Sequence, residues 1–147
     1  MTRRYLVLLL ALAGCPEEQP PTCSSSAIDT SCAAGYVPTF NNVYKNTLHT
    51  ATCGDDNSSC HNNTGKSGGL TFEADADTVY AALMAKSSID PSRNRVVPGD
   101  ASCSLLTVRT EGVGKDYQMP KGDALPAPTR CAIVQWVANG AMNGSAQ

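Results

Sequence analysis

Apolar side chains recur with a helical period in four segments of the chain. Between residues 38 and 52 they fall at steps of three and four, which builds one apolar helix face. Residues 75–86 open with acidic residues and end in a lysine, the charge order that suits the two ends of a helix. Shorter patterns cover residues 100–108 and a last segment with Pro128 in its first turn and Gly140 at its end. The positions expected to face the core are Phe40, Val43, Tyr44, Thr47, Leu48, Val79, Tyr80, Leu83, Met84, Leu105, Leu106, Val108, Ile133, Trp136 and Val137.

The connections between these segments are long, and nothing in them predicts a strand. No run alternates apolar and polar residues clearly enough for one. Twelve Gly and nine Pro among 147 residues place many turns in a short chain. The pattern therefore predicts a single all-α domain of three or four short helices with long Gly/Pro loops. Its core is small for its loop content, so disulfides or a buried cofactor would help to stabilise it.

Composition excludes a nucleic-acid surface. The formal net charge is −2, aromatic residues make up 5% of the chain, and no basic run is longer than Arg3-Arg4. A phosphate-binding face needs clustered cations, and single-stranded nucleic acid needs aromatic stacking platforms. We therefore expect no nucleic-acid partner.

The first 14 residues predict an export signal. Arg3 and Arg4 precede an apolar run from Tyr5 to Ala13, which is shorter than the roughly 20 residues needed to span a bilayer. The signal closes with Leu12-Ala13-Gly14-Cys15. This sequence resembles the bacterial lipobox and implies cleavage before an acylated Cys15. Pro16, rather than Asp, follows that cysteine and favours the outer membrane over the inner membrane. The expected location is the cell envelope, with a lipid anchor at Cys15. A soluble exported protein with an incidental cysteine is the alternative.

Residues 15–35 are predicted to be a lipidated N-terminus followed by a disordered tether. This stretch is rich in Pro, Ser and Glu and has no apolar period. The folded domain is expected over residues 36–147. Cleavage after residue 14 leaves 9 basic and 13 acidic residues, a net charge of −4.

Six cysteines remain if Cys15 is acylated, and export places them in an oxidising compartment. Three disulfides would use all six, and so would two disulfides with two thioether bonds to a haem. Spacing favours a local Cys23–Cys32 pair within the tether. It also favours a Cys103–Cys131 pair between two helices, worth roughly 3–4 kcal/mol in the chain-entropy model. The remaining two are Cys53 and Cys60.

Adjacent Cys60 and His61 form the most informative pair in the chain. A c-type haem is attached through two cysteines, and the histidine after the second one ligates the iron. The usual spacing places two residues between the cysteines, whereas six separate Cys53 from Cys60. A turn-rich loop starting at Gly54 could still bring the two sulfurs together. A Cys53–Cys60 disulfide followed by an exposed His61 is the alternative. His49 is a further candidate iron ligand, or a simple helix cap.

The order of motifs along the chain resembles a family of small cytochrome c domains in exported bacterial proteins. The resemblance spans about residues 36–142. The motifs are Cys60-His61, Gly68-Gly69-Leu70, Val96-Val97-Pro98-Gly99-Asp100 with Ser102, Met119-Pro120 and Ile133-Val134-Gln135-Trp136-Val137-Ala138-Asn139-Gly140-Ala141.

This resemblance implies a cytochrome c-like fold and a haem site. Cys53 and Cys60 match the attachment cysteines, His61 the proximal ligand and Met119 the distal ligand. A thioether opposite an imidazole favours reduced iron and raises the potential. The residues implied as apolar wall are Leu70, Leu83, Leu106 and Trp136.

The expected function is that of a lipid-anchored, monohaem c-type cytochrome. It would contain haem c and its iron, carry single electrons to or from redox partner proteins of the periplasm and envelope, and not act as an enzyme. The six-residue spacing leaves open a haem held by one thioether. It also leaves open a haemless, disulfide-stapled lipoprotein acting as a binding or structural module. A peroxidase-like enzyme would need an open distal site, which Met119 would close.

Overall fold

The computed structural model describes residues 19–50, 52–55 and 60–144. The predicted signal peptide and the lipidation site at Cys15 lie outside the described residues.

The first predicted helix forms in two parts. Helix α1 (Phe40–Val43) continues into a π-helical turn at Tyr44–Leu48. The Thr39 hydroxyl caps α1 by accepting the Asn42 N–H at 3.3 Å. The predicted face is confirmed as core, because these four of its side chains are buried: Phe40, Val43, Thr47 and Leu48.

Three further helices follow. Helix α2 (Ala76–Met84) begins after Asp75, whose carboxylate accepts the Thr78 N–H at 3.0 Å. Helix α3 (Leu105–Glu111) starts later than the predicted residue 100. The preceding residues form a turn instead, in which the Asp100 carboxylate accepts the Cys103 N–H at 3.0 Å. Helix α4 (Ala127–Ala138) has Pro128 in its first turn, as predicted.

The described residues contain four α-helices and no strand, so the all-α prediction is confirmed. Helix α4 is the centre of the domain and packs against both α1 and α3. The ring of Phe40 on α1 lies 5.3 Å from Trp136 on α4 and 5.1 Å from Tyr80 on α2. Within this part of the chain no helix is both long and apolar enough to cross a bilayer.

The predicted cysteine pairings are wrong, although disulfides are present. Cys23 is bonded to Cys103 and Cys32 to Cys131, with sequence separations of 80 and 99 residues. Both bonds join the N-terminal segment to the helical domain. Nearness along the chain favoured Cys23–Cys32 and Cys103–Cys131, whereas the fold places the N-terminal segment beside α4 and the start of α3.

The predicted tether is, over residues 19–35, an ordered part of the domain. Besides the two disulfides, the Gln135 side chain donates to the carbonyl oxygen of Cys32 at 2.8 Å. The Gly35 N–H donates to the Pro128 carbonyl at 2.9 Å. The segment lacks an apolar period because disulfides and backbone hydrogen bonds hold it, so its sequence resembled a linker.

Candidate functional site

A cavity of about 460 Å³ opens between α2, α3, α4 and the loop that follows α1. Its size falls within the ~300–1,000 Å³ typical of cofactor and small-molecule sites. Cys53, Cys60, His61 and Met119, the four residues assigned to a haem site by resemblance, all line it. The fold thus brings together two regions of the chain that are far apart in sequence.

His61 has one ring nitrogen fixed by the backbone. Its Nδ1 lies 3.1 Å from the carbonyl oxygen of Leu70. A carbonyl can only accept, so Nδ1 carries the proton, and a ring nitrogen fixed in this way by a backbone carbonyl is common in metal-ligating histidines. The Phe72 N–H donates to the His61 carbonyl at 2.7 Å, and the two rings lie 4.8 Å apart.

Burial favours the neutral form of this histidine. It lowers the pKa of His61 below its usual value, and hydrogen bonds to the backbone of Leu70 and of Ser67 oppose that shift only in part. The nearby positive charges of Arg109 and Arg95 lower the pKa further. His61 is therefore a neutral imidazole at neutral pH, the form that binds a metal.

Residues at the two ends of the Cys53–Cys60 segment lie close together. The His61 N–H donates to the Cys53 carbonyl at 3.3 Å. Gly54 is required at this crossing, because a Cβ there would lie 2.5 Å from Phe72 Cβ and 2.9 Å from the His61 carbonyl oxygen. Residue 53 is thereby held beside residue 61.

Both cysteines of this loop are thiols that border the cavity. Burial raises the pKa of the Cys53 thiol to about 11, with a smaller contribution from the neighbouring Cys60. The two disulfides use the other four cysteines of the described residues. Two disulfides and two remaining thiols is one of the two arrangements that the cysteine count allowed, the one that leaves two cysteines for thioether bonds. The other arrangement was three disulfides.

Met119 approaches the cavity on a loop after α3. Its N–H donates to the carbonyl of Arg109 on α3 at 3.0 Å. The preceding Gln118 side chain donates to the carbonyls of Pro120 and Gly122, each at 2.9 Å. These bonds fix the backbone that presents the half-buried thioether.

Of the four residues that the resemblance implied as apolar wall, three line the cavity and one does not. Leu70, Leu83 and Leu106 line the cavity. Trp136 does not: it is 2% exposed, packs in the core and donates its indole N–H to the Met142 carbonyl at 3.1 Å. The helical period marked Trp136 as buried, but could not tell the core side of α4 from the cavity side.

Sequence reasoning missed the charge of this cavity. Arg95, Arg109 and Lys121 line it, and no Asp or Glu occurs among the lining residues that the structure describes. Arg95 is 8% exposed, and its guanidinium donates to the carbonyls of Ala82 at 2.9 Å and Gly68 at 3.0 Å. Three cations at one cavity are notable in a chain with a net negative charge. The cavity therefore suits a ligand that is mostly apolar but has an anionic group.

His49 lies away from this arrangement. It is exposed, its Nδ1 is 2.8 Å from the Phe72 carbonyl, and its ring stacks on Tyr44 at 5.1 Å. It is absent from the described lining, in which His61 is the single histidine. Over residues 19–50, 52–55 and 60–144, no group of three or more His, Cys, Asp and Glu side chains is placed to hold a metal ion.

Comparison of the chain with protein-family models, with curated proteins and with solved structures finds no match.

Proposed function

We propose that this chain is a lipid-anchored, monohaem c-type cytochrome of the cell envelope, with a cytochrome c-like fold. The observation that supports this most directly is the meeting of four residues at one cavity. Cys53, Cys60 and His61 come from one loop, and Met119 comes from a loop more than fifty residues later.

The chemistry of the cavity fits a haem. Leucine walls suit the apolar macrocycle, and the three cations suit its two propionates. His61 Nε2 and the Met119 sulfur would ligate the iron, and Cys53 and Cys60 would form thioethers. Attachment would be the addition of each thiol S–H across one vinyl C=C, in which nothing leaves and no oxidant is needed. When bound, the haem supplies a one-electron couple, while the protein supplies ligation, burial and a docking surface.

The proposed role is electron transfer rather than catalysis. His61 and Met119 would both hold the iron, and the protein would then pass single electrons between redox partners of the envelope rather than bind a substrate. Cys15 would carry the lipid. The rival function, a haemless binding module, would use the same apolar and cationic cavity for another amphiphilic anion.

Histidine variants made in the native host test this proposal. We expect His61→Ala to abolish or strongly alter the haem absorption spectrum, whereas His49→Ala is a matched control that should leave it unchanged. Met119→Leu should retain covalently attached haem but change its axial ligation and lower its potential. A His61→Ala protein with the wild-type spectrum would refute the ligand assignment.

The spectrum of the pyridine complex of the reduced haem reports how many vinyl groups have reacted. Two thioethers are expected for the wild-type chain and one for Cys53→Ala. A wild-type chain with a single thioether would correct the role of Cys53 while leaving His61 as ligand.

A further inference from the structure

The N-terminal segment of the described chain runs along the rim of the cavity. Gln19 and Pro20 both line it; Gln19 is exposed and Pro20 is buried. The exposure of Gln19 shows that the cavity reaches the protein surface where the chain arrives from Cys15.

This segment cannot move far from the rim. The guanidinium of Arg93, which is only 9% exposed, donates to the Pro20 carbonyl at 2.7 Å and to the Pro21 carbonyl at 2.5 Å. Hydrogen bonds from a charged donor are stronger than those between neutral groups. The Cys23–Cys103 disulfide follows two residues later. Gln19 is therefore held in place relative to the cavity.

The distance from the lipid to this rim is short. Four Cα–Cα steps separate Cys15 from Gln19, and a fully extended chain covers at most about 14 Å in four residues. A domain of this size is about 35 Å across. An acyl chain on Cys15 thus keeps Gln19, and the rim with it, on the half of the domain nearest the bilayer.

The rim has side chains that suit a phospholipid surface. Ile89 lines the cavity and is 76% exposed, and Lys121 lines it and is also exposed. An exposed aliphatic residue and an exposed lysine that line the same cavity suit the boundary between headgroups and acyl chains.

We propose that the rim marked by Gln19, Ile89 and Lys121 rests against the phospholipid bilayer, so that the cavity opens towards the membrane surface. This inference depends on the lipid anchor of the proposed function, not on the haem. Together with the proposed haem, this orientation implies that a redox partner that reaches the cavity mouth is itself bound to or dissolved in the membrane.

Photo-crosslinking of the full-length lipoprotein in phospholipid vesicles tests the orientation. One variant has p-benzoylphenylalanine in place of Ile89. The control has it in place of Met142, which is similarly apolar and 69% exposed but does not line the cavity. After irradiation, mass spectrometry counts lipid adducts at each site. We expect several-fold more adduct at position 89, and equal adducts, or more at position 142, would overturn the proposal.

Two further measurements separate the causes of failure. The mass of the N-terminal peptide shows whether Cys15 is acylated; an unmodified Cys15 would overturn both the anchor and the orientation. Equal adducts on an acylated chain would overturn the orientation alone. A Gly/Ser insert of about 20 residues before Gln19, with a root-mean-square span of about 25 Å, should reduce the difference between the two sites. An undiminished difference would refute the tether-length argument.

Discussion

Removal of the Cys32–Cys131 disulfide gives a stability change that can be calculated from the connectivity. In the chain-entropy model the cost depends on the loop that the bond closes. While Cys23–Cys103 is intact, the shortest path from Cys32 to Cys131 runs back to Cys23, across that bond and on from Cys103. That path is about 38 residues, which corresponds to about 4 kcal/mol at 25 °C. We expect a Cys32→Ser, Cys131→Ser double variant to lose about that much free energy of unfolding.

Urea denaturation under non-reducing conditions measures this loss, with a Cys23→Ser, Cys103→Ser variant as the matched comparison. The Cys32→Ser, Cys131→Ser variant also tests which cysteines are paired. In the Cys32→Ser, Cys131→Ser variant, Cys23 and Cys103 should resist alkylation until a reductant is added. If both react without reductant, the pairing is wrong. A loss below about 1 kcal/mol would refute the entropic calculation.

Three predictions concern the Cys53–His61 loop in the haem-free protein. Gly54→Ala should destabilise the fold by about 1–3 kcal/mol through overpacking against Phe72, measured by thermal unfolding; an unchanged midpoint would contradict the close approach. Cys53, with a pKa raised from 9.0 to about 11, should have roughly 100-fold less thiolate at pH 8 and alkylate correspondingly more slowly than in urea-unfolded chain; equal rates would argue against burial. The folded-state pKa of His61 lies below the unfolded value of 6.5, so its contribution to stability is complete above pH 6.5 and is lost as the pH falls towards the lowered pKa. His61→Gln should therefore flatten the fall in urea midpoint between pH 7.5 and 5.5, and an identical pH profile would exclude this assignment.

Helical periodicity predicted the fold well because it reports which side chains are buried. Phe40 and Val43 on α1, and Ile133 and Val137 on α4, are all buried as expected. Periodicity could not separate burial in the core from contact with a cavity. Trp136 is buried in the core as the period predicted, and its assignment to the apolar wall came from the resemblance alone.

The errors at the N-terminus have a different physical origin. Disulfide pairing depends on the distance between side chains in space, and neither cysteine count nor spacing contains that distance. Residues 19–35 are held by disulfides and by hydrogen bonds to carbonyls, which leave no hydrophobic pattern. Arg95 was missed because a cation between Arg93 and Val96 looks like a solvated loop residue, yet its guanidinium is bound to two carbonyls at the cavity wall.

The mass of the intact mature protein from native-host membranes, recorded with its visible spectrum, tests the central claim most directly. We expect the mass of the lipidated chain plus one haem, retained through denaturation and reduction, with four hydrogens gained as the two disulfides are reduced. A colourless chain whose mass contains no haem would contradict it.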